Sequence, residues 1–453
     1  MDKSKLKEQS QVIRQAFGYI DRFKNELFVI KIDDTLISNP LFPIFIKDLV
    51  LLHNLGIRII LVPGARTRID EVLKTYNVSC STVNGIRISP PESIPFIKMA
   101  AFDVSNNIMT MLAESEAHAV IGNWVRARSI GVRNGINYQS SGTVERLQID
   151  ILNNVLEDGL IPIFPNIGWS GKGKPYNLSS NELALTLSIE LKAAKLFFVT
   201  DKGGVHQGEY KIPEGVFVSG DGIVSQLNLE QANNFLDQNS TDNYDESIEL
   251  VSLGLEACNL GVKRVHIVDG HIEGMILKEI FSNRGLGTMI YSNQHENIRK
   301  MTYSDIAEVL RIMQPAIEDK ILIPRTASDL EKHINDYIVY EVDGTVHGCG
   351  ALHKHGQQGE IAAVAVDEMY INAGIGKRII SYLLEKAYSM QLKQVFLLTT
   401  QTSDWFSQLG FAQGEITNLP KEKQMSYNYN RNSLVYFYKF PRGKKRYSSY
   451  PAI

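Results

Sequence analysis

Near the start of the chain, Val12, Ile13, Ala16, Phe17 and Ile20 recur three or four positions apart, with polar residues between them. That period predicts an amphipathic helix over residues 1–25. The period then changes. Phe28-Val-Ile-Lys-Ile32 is a short run rich in β-branched and aromatic residues, which predicts a strand covered on both faces. A helix is expected over residues 44–55, ending at Gly56, and Ile57-Arg-Ile-Ile-Leu-Val62 predicts a second strand. Further strands are expected at 197–200 and 265–268, with helices at 180–195 and 247–260. Strands alternating with helices predict a parallel, doubly wound α/β sheet. Residues 234–246 are polar and turn-rich and read as a loop.

Tyr291-Ser-Asn-Gln-His-Glu296 is the strongest break in this pattern. Beyond it, a smaller α/β unit opens with a helix near residues 303–314. It continues with strands at 360–366, 394–400 and 434–438, and helices at 378–390 and 405–411. The expected organisation is an N-terminal helix (1–25), a first α/β domain (26–291), a linker (292–298), a second domain (299–440) and a basic tail (441–453).

Length and charge narrow the class. A chain of 453 residues suits two or three domains. Its formal net charge of −3 supplies no field for nucleic acid, and no apolar run is long enough for a membrane span. Cys80, Cys258 and Cys349 lie far apart without metal-ligand spacing, so no metal and a reducing, cytoplasmic location are expected.

The chemistry concentrates in the second domain. The strand at 360–366 is followed by Asn372-Ala-Gly-Ile-Gly-Lys377 and then a helix. Strand, glycine loop and helix together aim backbone N–H groups at a pyrophosphate, and glycine lets phosphates approach the main chain closely. With Trp405-Phe-Ser-Gln-Leu-Gly-Phe411 behind it, this order resembles the GNAT acetyltransferase superfamily, whose loop reads Gln/Arg-x-x-Gly-x-Gly/Ala. Ile371 stands where that superfamily usually has Gln or Arg, so one phosphate-directed side chain is missing while the backbone cradle is kept.

Three longer blocks, residues 359–366, 397–406 and 419–433, resemble those of the bacterial N-acetylglutamate synthase family, and the resemblance runs through nearly the whole chain. It implies transfer of acetyl from acetyl-CoA to the α-amine of L-glutamate, the first committed step of arginine biosynthesis. Acetyl-CoA would be held by Val364, Ala365, Val366, Ile371, Asn372, Ala373, Gly374, Ile375, Gly376 and Lys377. Glutamate would be held by Arg325, Ala363, Arg431 and Ser433, arginine being the best bidentate partner for a carboxylate. Glu360 matches the family's proposed base and Thr399 its suggested hydroxyl donor; Tyr427 and Tyr429 are alternatives on chemical grounds. Cys349 is the only cysteine of this domain and has no paired histidine motif, so direct transfer in a ternary complex is expected, not an acyl-enzyme.

The first domain resembles the amino-acid kinase family through Lys31-Ile-Asp-Asp34, Pro63-Gly-Ala-Arg66, Asn177-Leu-Ser-Ser-Asn181 and Thr200-Asp-Lys-Gly-Gly-Val205. In that family glycines cradle phosphate beside the lysine. Here Asp33 and Asp34 replace them and would repel a γ-phosphate. Asn181 stands at the catalytic aspartate. No kinase activity is expected. The segments at 266–270 and 279–288 resemble arginine-binding blocks of arginine-sensitive relatives, implying an effector site for L-arginine at His266, Glu279, Gly285 and Gly287. The N-terminal helix resembles the family's interlacing helix, implying a homohexamer. The competing readings are a different acetyl acceptor, a kinase with an accessory acetyl-CoA module, and an arginine sensor with a decayed transferase.

Overall fold

The computed structural model describes residues 23–440, apart from 217, 242, 282–285, 293–295, 343–344, 368–373, 401–402 and 430. The expected N-terminal helix, the basic tail, Gly285, Ile371, Asn372 and Ala373 therefore lie outside the described residues. The chain divides after Asn293 into two units. Among the described residues, no helix is long and apolar enough to cross a membrane.

The first unit is built on β1 (Leu27–Ile32), α1 (Phe42–Asn54), β2 (Arg58–Pro63), α2 (Arg66–Thr75), α3 (Ile94–Glu114), β3 (Ala119–Ile121) and β4 (Ile161–Ile163). It continues with α4 (Ser180–Glu190), β5 (Lys195–Thr200), β6 (Gln226–Asn228), α5 (Leu229–Gln238), α6 (Glu246–Asn259), β7 (Arg264–Asp269), α7 (Met275–Phe281) and β8 (Thr288–Tyr291). The eight strands form one sheet in the order β6-β8-β7-β5-β1-β2-β4-β3. All its pairings are parallel except β7 with β8, which run antiparallel.

Alternate residues of each central strand feed two different cores. Val29, Ile60, Leu196 and Phe198 pack beneath α4 and α6. Phe28, Ile59, Leu61 and Phe197 pack with α1, α3 and α7. Burial on both faces is why β1 reads as a continuous apolar run instead of an alternating one. A second sheet of four strands, involving residues 125–177, stands apart from the first.

The structure corrects several element boundaries. The expected loop at 234–246 is helical to Gln238, because Asn228 and Gln231 close a capping box that starts α5 early. The helix expected over 180–195 stops at Glu190, and Lys195 already begins β5. β8 ends at Tyr291, and the next strand begins at Glu296.

The second unit contains β9 (Glu296–Lys300), α8 (Ile306–Glu318), β10 (Tyr337–Val342), β11 (Thr345–His355) and β12 (Gln358–Val366). It is completed by α9 (Ile375–Ser389), β13 (Gln394–Thr399), β14 (Ala412–Gly414), α10 (Lys421–Met425) and β15 (Leu434–Lys439). Its seven strands are ordered β9-β10-β11-β12-β13-β15-β14. Only β12 and β13 run parallel. A short 3₁₀ turn, Tyr303–Asp305, precedes α8, which continues past the expected end at Gln314 through Pro315. The helix expected from Arg378 starts three residues earlier, at Ile375. It packs close to β11 because Gly348 and Gly350 carry no side chain: a Cβ on either would lie 2.8 Å from Ile379.

Candidate functional site

The parallel pair at the centre of the second sheet is incomplete. β12 and β13 pair only at Gln358↔Gln394, Gly359↔Val395 and Glu360↔Phe396. Beyond Glu360, β12 stays paired to β11, and β13 stays paired to β15 as far as Thr399↔Leu434. The two strands therefore part, and a wedge opens whose β12 edge offers unpaired backbone groups from residues 361–366. Ala363 marks the divergence. It is buried, has φ 55°, and lies where the β11–β12 register shifts. A left-handed residue inside a strand is a bulge, a device that re-aims a strand beside a site.

The sequence-predicted residues lie on several elements of this unit. Gly374, at φ 73°, forms the N-cap of α9, and Ile375 is the first helical residue. The left-handed conformation requires glycine there. Among the described residues no side chain caps this first turn, whose N–H groups are of the kind that bind anions at helix N-termini. Val364 and Val366 pack against the core under α9, and Lys377 is exposed. Glu360, only 7% exposed, stands where the strands part. Its Oε2 accepts from Lys423 Nζ at 2.7 Å and lies 3.3 Å from His355 Nε2.

On the acceptor side, the Tyr427 hydroxyl donates to the Ser433 carbonyl at 2.6 Å. Arg431 Nη2 donates to the carbonyls of Lys320, at 3.1 Å, and Ile321. Arg325 Nη1 donates to the Ile323 carbonyl at 3.2 Å. Burial, and then the charge of Arg325, hold Arg431 below its usual range. Both guanidinium groups thus meet carbonyls of residues 320–323. Alternation along β13 puts Thr399 on the face of Val395 and Leu397, under α9, while Tyr427 packs with Phe396 and Leu398 on the opposite face. The two proposed proton donors thus approach the wedge from opposite sides. Burial pushes the Cys349 thiol up to about 12, so it stays protonated and is a poor nucleophile.

Sequence reasoning missed Lys423 and His355, which hold Glu360, and Arg311, whose Nη2 lies 2.7 Å from Asp367 Oδ2 at the end of β12. No motif marks them; they are single charged residues brought in by tertiary packing.

In the first unit, His266 Nδ1 lies 2.6 Å from Glu279 Oε1, and Glu279 Oε2 accepts the Leu286 N–H at 2.7 Å. His266 Nε2 is 3.1 Å from Lys195 Nζ, and its ring stacks on Phe197. Lys195 completes a buried Lys–His–Glu chain that the sequence did not suggest, because it sits at the start of an apolar strand. Burial and Lys195 push His266 down to about 4. Glu279 is held below its ordinary value: burial opposes ionisation, but the hydrogen bonds from His266 and Leu286 and the charge of Lys195 outweigh it. Gly287 is obligatory, since a Cβ there would lie 2.0 Å from the Ile267 carbonyl oxygen.

The phosphate-cradling features of this unit are occupied by its own side chains. Lys31 is ion-paired to Asp33. Asp34 Oδ2 accepts the Arg68 N–H at 3.1 Å, so a carboxylate fills the N-terminus of α2 where a phosphate would sit. Asn181 donates to Glu249 at 3.1 Å.

Comparison with known proteins gives a consistent picture. The amino acid kinase family matches residues 26–269, and the acetyltransferase (GNAT) family matches residues 303–411. The amino-acid acetyltransferase of Actinobacillus pleuropneumoniae serotype 7 is 32% identical over 437 residues, covering 94% of this chain and 98% of the relative. That of Pasteurella multocida is 32% identical over 431 residues, covering 93% and 96%. Among solved structures, N-acetylglutamate synthase from Neisseria gonorrhoeae complexed with coenzyme A and L-arginine aligns with a TM-score of 0.76 at 27% identity, covering 96% of this chain and 99% of that one. A complex of N-acetylglutamate synthase from the same organism with coenzyme A and N-acetyl-glutamate aligns with a TM-score of 0.59 at 28% identity.

Proposed function

We propose, from the premise that this chain belongs to the amino-acid acetyltransferase family, that its second unit transfers acetyl from acetyl-CoA directly to the α-amine of L-glutamate. The observation that carries the reading is that Arg325 and Arg431 both reach carbonyls of one short segment, Arg325 that of Ile323 and Arg431 those of Lys320 and Ile321. Glutamate brings two carboxylates, one for each guanidinium. The relatives in complex with coenzyme A and N-acetyl-glutamate support it.

The chemistry follows from the wedge. The pyrophosphate of the co-substrate rests on the N–H groups that open α9, and its pantetheine arm lies along the free edge of β12. Glu360 takes a proton from the ammonium group of glutamate, directly or through water, and the freed nitrogen attacks the thioester carbonyl carbon. As the C–N bond forms, the carbonyl π pair moves onto oxygen, which backbone N–H groups near Val364 stabilise. Collapse of that intermediate breaks the C–S bond and sends its electron pair to sulfur. A thiolate with a pKa of roughly 8.5 leaves with little acid help, and Thr399 or Tyr427 passes it a proton while taking up, through water, the second proton that the nitrogen loses in becoming an amide. Lys423 holds Glu360 in place until the amine arrives.

The first unit is a regulatory domain in this reading, binding L-arginine at His266, Glu279, Gly285 and Gly287, with Lys195 as a further neighbour. The relative solved with L-arginine supports this assignment. The unpaired cysteines fit a cytoplasmic enzyme, and a homohexamer through the N-terminal helix follows from the family resemblance. Thiol release from acetyl-CoA, measured across the amino acids with and without L-arginine, tests the whole reading. Glutamate should be the preferred acceptor and arginine should change its rate. Preference for an acceptor with one carboxylate would overturn the substrate assignment, and an acetyl-enzyme trapped by rapid quench would overturn direct transfer.

A further inference from the structure

Besides the residues assigned above, one group of side chains in the second unit brings metal-ligating atoms together. His333, Asp336 and His353 each offer one such atom, and the three atoms lie within 4.8 Å of one another. Among the described residues this is the one group of His, Cys, Asp and Glu that does so. No cysteine takes part, so cysteine spacing gives no sign of it.

Local structure assembles the group. A capping box between Thr326 and Asp329 starts the short helix Ala327–Lys332, and His333 ends it. A 3₁₀ turn, Ile334–Asp336, follows at once, and the Asp336 N–H donates to the His333 carbonyl at 2.9 Å. Side chains three apart eclipse in such a turn, so His333 and Asp336 share a side. Tyr337 then opens β10, opposite Ala351 of β11, and both are buried in the core under α8. Alternation along β11 puts His353 on the face of Ala351, next to the turn. Tyr337 and His333 each meet the His353 ring edge to face, with centroids 6.0 and 5.6 Å away.

Both imidazoles turn Nδ1 towards the same carboxylate oxygen. His353 Nδ1 lies 2.7 Å from Asp336 Oδ2, and His333 Nδ1 lies 3.7 Å from it. The shorter distance is a hydrogen bond and the longer one is not. The pairing of His353 with Asp336 therefore leaves the aim of His333 unexplained. Two ligands of one tetrahedral zinc ion, each at about 2.0–2.2 Å from it, stand about 3.4 Å apart. The observed 2.7 and 3.7 Å bracket that spacing. Imidazole nitrogen suits zinc, copper and nickel, whereas magnesium and calcium take oxygen ligands. His333 is 60% exposed, so an ion and its waters can reach the group. One charge opposes a cation here. Lys386 feels Asp336, but burial holds its ammonium below the usual range.

We propose that His333, Asp336 and His353 bind one divalent transition-metal ion of the zinc class, with water in the remaining position. The ion ties the turn before β10 to β11. The transfer chemistry set out above does not use it, so the site can be tested without turnover.

The test is calorimetric titration with zinc chloride of the full chain, stripped by a chelator and freed of any affinity tag. Cobalt(II) absorption reports the coordination in parallel. One zinc per chain is expected, with a rise in melting temperature that the chelator reverses. Excess magnesium should not compete. His333→Ala removes a side chain that does not hydrogen-bond Asp336, so it should fold as the wild type does. It should weaken zinc at least about tenfold, the loss that even an outer-shell partner causes. His353→Gln should weaken zinc likewise, and should it fail to fold, His333→Ala decides alone. Cys80, the one cysteine that is not buried, is the competing ligand. No saturable binding, unchanged affinity in His333→Ala, displacement by magnesium, or binding lost in Cys80→Ser would each overturn the proposal.

Discussion

The two units of this chain both place a helix N-terminus at the end of a strand, and they use it in opposite ways. In the second unit, Gly374 leads into α9, and among the described residues no side chain caps its start. In the first, Asp34 reaches across and takes the N–H of Arg68 itself, so the start of α2 already holds its anion. Both units keep the strand-to-helix scaffold of a phosphate site, and the carboxylate of Asp34 sets the first apart. Function resides in the residues at the site and cannot be assigned from the scaffold.

The contrast can be broken most sharply at Glu360. Glu360→Gln removes the proposed base and should lower kcat by about 10²- to 10⁴-fold with little change in either KM; a rate near wild type would transfer the role to another group. Arg431→Ala should cost about 10²-fold in kcat/KM for glutamate while leaving the KM for acetyl-CoA alone, with Arg431→Lys recovering only part. An equal loss for both substrates would mean that Arg431 acts by holding the Lys320 and Ile321 carbonyls.

The first unit should respond to acid. His266 titrates at 6.5 when unfolded and about 4 when folded, so between those values the unfolded chain binds the extra proton. Stability should be steady above pH 6.5 and fall as the pH drops towards 4, by up to about 3 kcal/mol. Urea unfolding across that range should show the slope, and His266→Gln should flatten it. The smallest effect is expected at Gly374, where alanine in a left-handed conformation costs about 1 kcal/mol. Gly374→Ala should raise the KM for acetyl-CoA about fivefold, and an unchanged KM would remove α9 from the co-substrate site.

Much of this was legible in the sequence. The continuous apolar runs of β1 and β2 signalled a sheet covered on both faces, and Gly374 and Gly376 signalled a glycine-led helix start after a strand. Boundaries were less legible. The capping of α5 by Asn228 and Gln231 pulled a polar stretch into a helix, and Lys195 opened a strand despite its charge because His266 and the face of the Phe23 ring receive it. Such choices depend on neighbours far along the chain, which no local pattern reports.

What the sequence determined alone was the class of chemistry: glycine at 374, a carboxylate at 360, arginines at 325 and 431, and aspartates at 33 and 34 where phosphate-binding glycines would stand. These follow from what each residue can and cannot do wherever it sits. Only the tertiary structure decided how they meet. It parted β12 from β13 at Glu360, brought Lys423 and His355 to that carboxylate, and set Thr399 and Tyr427 on opposite faces of β13. Those outcomes are set by strand pairing and long-range packing, in which the partner of each residue is chosen by the whole fold.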